Sequence, residues 1–319
     1  MKIFSLMVLI FLPAIIWAQS SFNEGEKFFQ KEEYQQAKPF FQKHLRENPS
    51  DKKTIEYLGD IASYAKQWDA AIEYYETLVE AESDNANYHF KYGGALGMKA
   101  LEISKIRALT YVSDIKFHFE RAAELDPDHI EARWALVEFY IQLPGFIGGS
   151  EKKAISYANQ LAKISPVDGY LAKGYIAEYN DRPKDAESHY KNAIKVGGSA
   201  HTYEKLSTLY ENNNRPKEAI ETSAKSLKIH KRNQLNYQIG KIAAQYGLDA
   251  QLGINCLRVY IENHSAKDGV PKDWAYFRLA QIYKNLGKKE TALVWIDKAL
   301  KDRPGFEEAQ NEKVLIMAL

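Results

Sequence analysis

A pattern of small and aromatic residues recurs about every 34 residues along this chain, from about Ser21 almost to the C-terminus. Gly25, Gly59 and Gly93 lie 34 residues apart, and so do Phe41 and Tyr75 on the segments that follow the first two glycines. A fixed period of this length is typical of stacked helix pairs, because one pair alone is too small to bury its apolar face. The period therefore predicts an all-α solenoid with a continuous core and an extended surface.

The period divides the chain into about eight helix pairs, and a last helix would cover the open end of the stack. The predicted repeats span residues 21–51, 52–85, 86–128, 129–166, 167–199, 200–232, 233–265 and 273–306, and the capping helix spans residues 307–318. Because stacked repeats form one quasi-one-dimensional unit, we assign residues 19–319 to a single solenoid domain.

Some segments depart from the period. Residues 100–113 are an insertion in the third repeat whose apolar residues keep helical spacing, which predicts two extended helices. Residues 143–150 form a lengthened turn, in which Ser150 is expected to cap the following helix. Pro183 and Pro216 each follow a polar turn, and a proline is well suited to the first position of a helix.

The N-terminus reads as a secretory signal peptide. Lys2 supplies a positive charge, an apolar run follows, and Ala18 is a suitable last residue before cleavage. The apolar run is shorter than the roughly 20 residues that a membrane-spanning helix needs. Ile16, however, is not small at the position three residues before the proposed cut, so an uncleaved anchor is the alternative. We expect cleavage after residues 1–18 and a periplasmic or secreted protein without a membrane span.

Charge and residue types argue against several classes of function. The chain has 43 basic and 42 acidic residues; residues 1–18 contain one lysine and no acid, which leaves 42 of each afterwards, without the basic excess of nucleic-acid binders. The eight histidines are scattered, and Cys256 is the single cysteine, so we expect no metal, no cofactor and no catalytic site. Cys256 is expected to be a small buried side chain.

The last full repeat carries the clearest signature. Its small, aromatic and helix-ending residues are Leu279, Ala280, Tyr283, Ala292, Ala299 and Pro304. These positions resemble the tetratricopeptide repeat family, and most other repeats match in register. The resemblance implies a right-handed α-α superhelix, whose first helices line a concave groove. Such proteins usually hold peptides or partner proteins and are rarely enzymes.

The family's inner-face positions carry many aromatic residues in this sequence. One row consists of Phe22, Phe90, Trp134, Leu171, Tyr237 and Phe277, with Tyr64, Tyr175 and Tyr179 beside it. Aromatic side chains in a groove are good anchors for a peptide, whereas the alternative is that they pack between neighbouring helices. We select Phe90, Trp134, Tyr175, Tyr179, Tyr237 and Phe277 as the predicted partner-binding residues. Acidic residues at nearby inner-face positions, Glu56, Asp60, Glu138, Glu178, Glu204 and Glu211, favour a basic or neutral ligand.

The sequence thus predicts a non-enzymatic scaffold of the bacterial envelope that binds a protein or peptide partner in its groove. Three alternatives remain open. The repeat ends or the insertion could pair copies of the chain; the tyrosines and tryptophans could stack on a glycan or small molecule; and the turn Phe146–Ser150 could serve an accessory or hydrolytic role.

Overall fold

The computed structural model describes residues 21–319, so the predicted signal at residues 1–18 lies outside the described part. Every regular element within residues 21–319 is helical, which confirms the all-α prediction. The chain divides into two compact units, one ending at Ser165 and the other comprising Pro166–Leu319. None of the described helices is long and apolar enough to cross a membrane.

The first unit is a series of helices joined by short turns. Its helices are α1 (described over 21–30), α2 (Tyr34–Glu47), α3 (Lys52–Tyr64), α4 (Trp68–Ala81), α5 (Ala86–Glu102), α6 (Lys105–Ala108), α7 (Val112–Leu125), α8 (Ile130–Gln142) and α9 (Glu151–Ile164). Short 3-10 turns at Leu109–Tyr111 and Gly145–Ile147 precede α7 and α9. Within this unit α3 packs on α4, α5 on α7 and α8 on α9, while α4 and α7 also contact the first helix of the next pair.

The second unit continues the same arrangement. Its helices are α10 (Pro166–Tyr179), α11 (Pro183–Val196), α12 (Ala200–Asn212), α13 (Pro216–His230), α14 (Asn233–Tyr246), α15 (Ala250–Glu262), α16 (Lys272–Asn285), α17 (Lys289–Asp302) and α18 (Glu307–Met317), with a 3-10 turn at Ala266–Asp268. The pairs α10–α11, α12–α13, α14–α15 and α16–α17 each pack together, and α18 packs on α17 and α16. We refer to α10–α11 as repeat five and to α12–α13 as repeat six.

Local signals set where these helices begin. The Ser150 side chain accepts a hydrogen bond from the Lys153 amide, so it caps α9 as expected. Pro183 and Pro216 open α11 and α13, which also agrees with the sequence. Pro166 differs from its expected place at the end of a repeat, because it begins α10. A proline fits both roles, since the first helical amide needs no partner inside the helix.

The insertion at residues 100–113 is only partly the pair of extended helices that its spacing predicts. Helix α5 does extend to Glu102, but Ile103 and Ser104 then adopt extended backbone, and a short α6 follows. Leu101 is 75% exposed and Ile106 is 82% exposed. The helical spacing of these apolar residues therefore does not mark a buried face. Where a second extended helix was expected, α6, a 3-10 turn and α7 follow one another.

In five repeats, a glycine on the first helix contacts a larger residue on the second helix. We call this contact the joint of the repeat. The joints that pair a glycine with an aromatic ring are Gly25–Phe41, Gly59–Tyr75, Gly93–Phe119 and Gly174–Tyr190. A methyl group at Gly59 would lie 2.6 Å from a carbon of the Tyr75 ring, which is too close for any side chain. Glycine is therefore required because the ring lies directly on the backbone of the first helix.

Candidate partner-binding surface

The predicted aromatic row lies at the edge of the joints. In the first unit, Phe90 and Trp134 are half-buried. The Phe90 ring lies 6.0 Å from Phe119, the ring of its own joint, and 5.0 Å from His129. Part of each of these two side chains therefore remains available at the surface.

In the second unit, two predicted anchor residues are buried. Tyr237 is 8% exposed and packs 5.3 Å from the Tyr260 ring. Phe277 is 5% exposed and lies between Trp274 and Phe306. Their surfaces are occupied within the second unit, so these two positions correspond to the alternative in which row residues pack as core.

The row has a regular position relative to the joint. Phe90, Tyr237 and Phe277 each precede the small residue of their repeat by three positions. Residues three apart on a helix share a face, so the row side chain lies beside the joint rather than opposite it. Half-buried Phe90 has the same offset as the two buried residues, so the difference in burial comes from the neighbouring rings, Tyr260 against Tyr237 and Phe306 against Phe277.

The tyrosines beside the row are better exposed. Tyr64, at the end of α3, is 59% exposed, and its ring stacks 4.4 Å from Tyr34. Tyr179, at the end of α10, is 52% exposed, and its ring lies 6.4 Å from that of the half-buried Tyr175. Both exposed tyrosines follow the glycine of their repeat by five positions, so they occupy equivalent places in the two units.

Carboxylates on the first helices are bonded to the first helix of the next pair. Lys91 on α5 contacts Glu56 and Asp60 of α3, each with an N–O distance of 2.7 Å. In the second unit, Glu211 on α12 accepts from Gln238 at 2.8 Å and pairs with Lys241 at 3.0 Å, both on α14. These bonds tie successive first helices together along the surface that the aromatic residues share.

The bonds change the expected electrostatics of this surface. Burial opposes ionisation of Glu56, but hydrogen bonds from Lys91 and Lys53 hold the pKa of that carboxyl below its usual value. A neighbouring lysine therefore offsets the negative charge at Glu56, Asp60 and Glu211. The acidic surface expected from the sequence is weaker than the count of carboxylates suggests, because the sequence did not show which lysines lie opposite them.

A cavity of about 390 Å³ lies against α11, α12 and α13, around Glu187. Burial would raise the pKa of Glu187, but hydrogen bonds from Lys191, Arg215 and Tyr210 lower it to about 2. The Arg215 guanidinium also covers the Tyr210 ring at 4.5 Å and donates to Glu218 at 2.8 Å. Glu187 and Glu218 are thus neutralised by Lys191 and Arg215 within repeats five and six.

Repeat six contains a second cavity, of about 270 Å³, at its joint. The positions that hold Gly174 and Tyr190 in repeat five hold Ser207 and Ser223 in repeat six. The two serine hydroxyls lie 2.9 Å apart, and Ser207 also donates to the Ala219 carbonyl. These serines were not among the predicted site residues, although their spacing of 16 residues, the same as that of Gly174 and Tyr190, indicates a joint without a ring.

Cys256 and Ser150, two residues whose side chains can act in catalysis, both have structural roles. Within residues 21–319, no group of three or more His, Cys, Asp or Glu side chains is placed to hold a metal ion. Cys256 is buried, and burial raises the pKa of its thiol to about 11, so the nucleophilic thiolate is disfavoured. The Gly240 backbone meets Leu257 rather than Cys256, because the larger residue of that joint is shifted by one position. Ser150 serves as the cap of α9.

Comparisons with known proteins agree with this architecture. Residues 58–96 and residues 275–304 each match a family model described as a tetratricopeptide repeat. No curated protein matches the sequence. The first matched segment includes the joint of Gly59 and Tyr75, and the second is the pair α16–α17.

Several solved structures are similar at low sequence identity. A tetratricopeptide repeat protein from Parabacteroides merdae ATCC 43184 is 14% identical, with a TM-score of 0.52 over 94% of this chain and 98% of that one. YrrB, described as a TPR protein with an unusual peptide-binding site, is 16% identical, with a TM-score of 0.44 over 61% of this chain and 97% of that one. TTC0263, a TPR protein from Thermus thermophilus, is 16% identical, with a TM-score of 0.41 over 76% and 98%. The first of these supports the paired-helix fold.

Proposed function

We propose, from the premise that this chain is a tetratricopeptide repeat protein, that it is a non-enzymatic scaffold that holds a protein or peptide partner on the inner faces of its first helices. The observation that carries the proposal is the pair of equivalent exposed tyrosines, Tyr64 in the first unit and Tyr179 in the second. Tyrosine offers a large contact area at a low cost in conformational entropy, and it is enriched among residues that dominate binding energy.

The surroundings of the tyrosines support this role. Tyr64 is held against Tyr34, and Tyr179 lies next to Tyr175, so each exposed ring has an aromatic neighbour. The carboxylates of the same helices are bonded too. On α3, Glu56 and Asp60 pair with Lys91. On α10, Glu178 accepts hydrogen bonds from Tyr190 and Asn212. A surface with exposed rings and paired charges suits a partner that is itself not strongly charged. Phe90 and Trp134 remain candidates on the first unit.

In-cell cross-linking tests the proposal. A photo-reactive residue at Tyr179 should give a discrete adduct with a partner protein, whereas the same residue at exposed Lys184, near the start of α11, should not. Tyr64 provides the corresponding position in the first unit. Equal labelling from Tyr179 and Lys184, or none from Tyr64 and Tyr179, would contradict partner binding by these faces.

We further propose that the protein is exported and works in the bacterial envelope, on the strength of the N-terminal sequence. Lys2, the apolar run after it and Ala18 have the order of a signal peptide. Mass spectrometry of the mature protein tests this directly. A mature N-terminus at Gln19 in a periplasmic or secreted fraction is the expected result, and an intact Met1 in the cytoplasm would overturn it.

Self-assembly is a second candidate function, favoured by the insertion of the first unit. Leu101 and Ile106 are strongly exposed, and Leu109 is also exposed. Exposed apolar residues on neighbouring elements are typical of contact surfaces. Sedimentation at micromolar concentration should show a dimer if this candidate holds, and Ile106→Lys should dissociate it. A wild-type monomer would remove the candidate.

A further inference from the structure

We propose that the cavity in the joint of repeat six is a binding site for a phenolic ring, the side chain of a tyrosine carried by the protein partner. This inference rests on the proposed function in one respect, namely that a protein supplies the ring. Its physical basis is the difference between the joint of repeat six and the joints that contain a ring.

The ring is an integral part of the other joints. Four joints in the described chain hold an aromatic side chain against a glycine of the first helix. In two of them the ring is a tyrosine whose hydroxyl donates to a carboxylate, Tyr75 to Asp60 at 2.7 Å and Tyr190 to Glu178 at 2.9 Å. The space between the paired helices therefore accepts a phenolic ring repeatedly in this protein.

Repeat six has the same backbone framework without the ring. Its two helices pair as those of repeat five do, and both second helices open with a proline, yet Ser223 stands where Tyr190 does. The result is a cavity of about 270 Å³ lined by α12, α13 and the start of α14. A cavity of about 150 Å³ is enough to bind benzene in a protein interior, so one aromatic ring fits this volume.

The floor of the cavity carries hydroxyl groups. Ser207, Ser223 and Ser226 line it, and all three side chains are buried. Ser207 and Ser223 bond to each other, but the Ser226 hydroxyl is fully buried and makes no hydrogen bond. An unsatisfied buried hydroxyl is unfavourable, and a ligand that bonds to it recovers that free energy. The floor thus favours a ring with a hydroxyl group over a purely apolar ring.

The walls and rim are consistent with a ring that enters from the surface. Ala200, Tyr203 and Leu235 supply apolar walls, and the Tyr203 ring offers a face or edge for aromatic contact. Glu204, Arg232 and Gln234 are exposed and form the rim. Because the rim is exposed, a side chain projecting from a bound partner can enter the cavity without unfolding the repeat. A hydrogen bond to the Ser226 hydroxyl requires a small shift of the side chains around it, because that oxygen is fully buried.

The first experiment measures binding of p-cresol, the side-chain analogue of tyrosine, by calorimetry and ligand-observed NMR. Wild-type protein should bind p-cresol saturably and more tightly than toluene. The double variant Ser207→Gly/Ser223→Tyr, which transfers the joint of repeat five, should lose at least tenfold in p-cresol affinity. Both substitutions are needed, since the Ser207 side chain would collide with a ring at position 223. Equal binding to wild type and the double variant, or no saturable binding to wild type, would overturn the proposal.

A second variant keeps the test decisive if the double variant folds poorly. Ser226→Ala removes the unsatisfied hydroxyl and preserves the shape of the cavity. It should weaken p-cresol binding about three- to tenfold, which corresponds to one hydrogen bond, and leave toluene binding unchanged. Because the hydroxyl has no partner in the free protein, the thermal midpoint should not fall. Unchanged p-cresol affinity in this variant would overturn the role of the floor.

The partner's tyrosine is tested separately from the cavity. A photo-reactive residue at Glu204, on the rim, should capture the partner, and added p-cresol should lower the yield of that adduct but leave the adduct from Tyr179 intact. A Glu204 adduct that does not respond to p-cresol would overturn the assignment of the ring to the partner. Loss of the Tyr179 adduct in wild-type protein would instead refute the proposed scaffold function, whatever the cavity binds.

Discussion

Repeats five and six have the same pairing of helices and differ in the contact at the joint. Both second helices begin with a proline after a polar turn, Pro183 in one and Pro216 in the other. In repeat five the Tyr190 ring fills the joint, whereas in repeat six Ser223 leaves it open. The comparison indicates that helix positions and joint filling are separable: turns and caps place the helices, and the joint decides whether the surface between them is closed.

Repeat six remains folded because other contacts compensate. Leu206, Leu209 and Ile220 are buried, and they do not depend on the ring. The hydroxyls of Ser207 and Ser223 satisfy each other. A repeat within a stack also gains stability from its neighbours, so one weakened joint does not abolish its fold.

The largest effect is expected when the ring is removed from repeat five. Tyr190→Ala should lower the local unfolding free energy of α10 and α11 by about 3–5 kcal/mol, because a large buried aromatic side chain is lost together with its bond to Glu178. Hydrogen exchange of the amides in these helices measures the change. The matched control, Ser223→Ala in repeat six, should cost less than about 1.5 kcal/mol. Similar losses in both repeats would mean that the ring is not the dominant contact.

A smaller loss is expected from adding a methyl group at the same joint. Gly174→Ala would place a carbon against the Tyr190 ring and should cost about 1–3 kcal/mol through overpacking. Gly94→Ala is the control, because a methyl group at Gly94 meets nothing within 4 Å. The control should stabilise α5 by about 0.5–1 kcal/mol, as alanine favours a helix. Thermal unfolding of the two variants should therefore shift in opposite directions.

The joint of the third repeat allows a test by pH. His118, next to Phe119, has its Nδ1 atom 2.8 Å from that of His89, and burial lowers the pKa of both, that of His118 to about 4. The unfolded chain takes up these protons below about pH 6.5 while the folded chain does not, so the unfolding free energy falls as pH falls.

The expected loss from His118 between pH 7 and pH 5 is about 1–2 kcal/mol, and the lowered pKa of His89 adds to it in the same direction. His118→Gln should show a shallower dependence on pH than wild type in denaturant titrations at the two pH values. The carboxylates are common to both proteins, so their contribution cancels in the difference. An identical pH dependence would mean that His118 does not stay neutral in the folded state.

The smallest effect concerns the start of the first helices. Ser199 caps α12 of repeat six through the Thr202 amide, whereas α10 of repeat five begins with Pro166. Ser199→Ala should destabilise α12 by about 1 kcal/mol, and Thr208→Ala at an exposed position of the same helix should change little. Exchange of the first amides of α12 measures the difference, which vanishes if capping is unimportant there.

The period of small and aromatic residues was enough to predict an all-α chain, because the glycine-to-ring contact repeats at a fixed spacing. Caps such as Ser150 were also predictable, since they depend on local chemistry. The insertion was less predictable: the helical spacing of Leu101 and Ile106 predicted extended helices, yet α5 ends at Glu102, a short α6 follows, and both side chains are exposed. Spacing alone does not tell whether another element covers a face.

The candidate site was harder to predict because it depends on which residues meet across helices. The sequence placed Tyr237 and Phe277 on the inner face, but rings from neighbouring segments, Tyr260 and Phe306, cover them. The lysines that pair with Glu56 and Glu211 are on neighbouring repeats, so a list of acidic residues overstated the negative charge. The partner-binding role of Phe90, Trp134, Tyr175 and Tyr179 stays a prediction.

The central claim is that repeat six presents an open joint to a partner held by the inner faces of the scaffold. Photo-cross-linking from Glu204 in wild type and in Ser207→Gly/Ser223→Tyr tests it most directly. We predict a partner adduct from Glu204 in wild type and its loss in the filled variant, with the adduct from Tyr179 present in both. A Glu204 adduct of equal yield in the two proteins would contradict the claim.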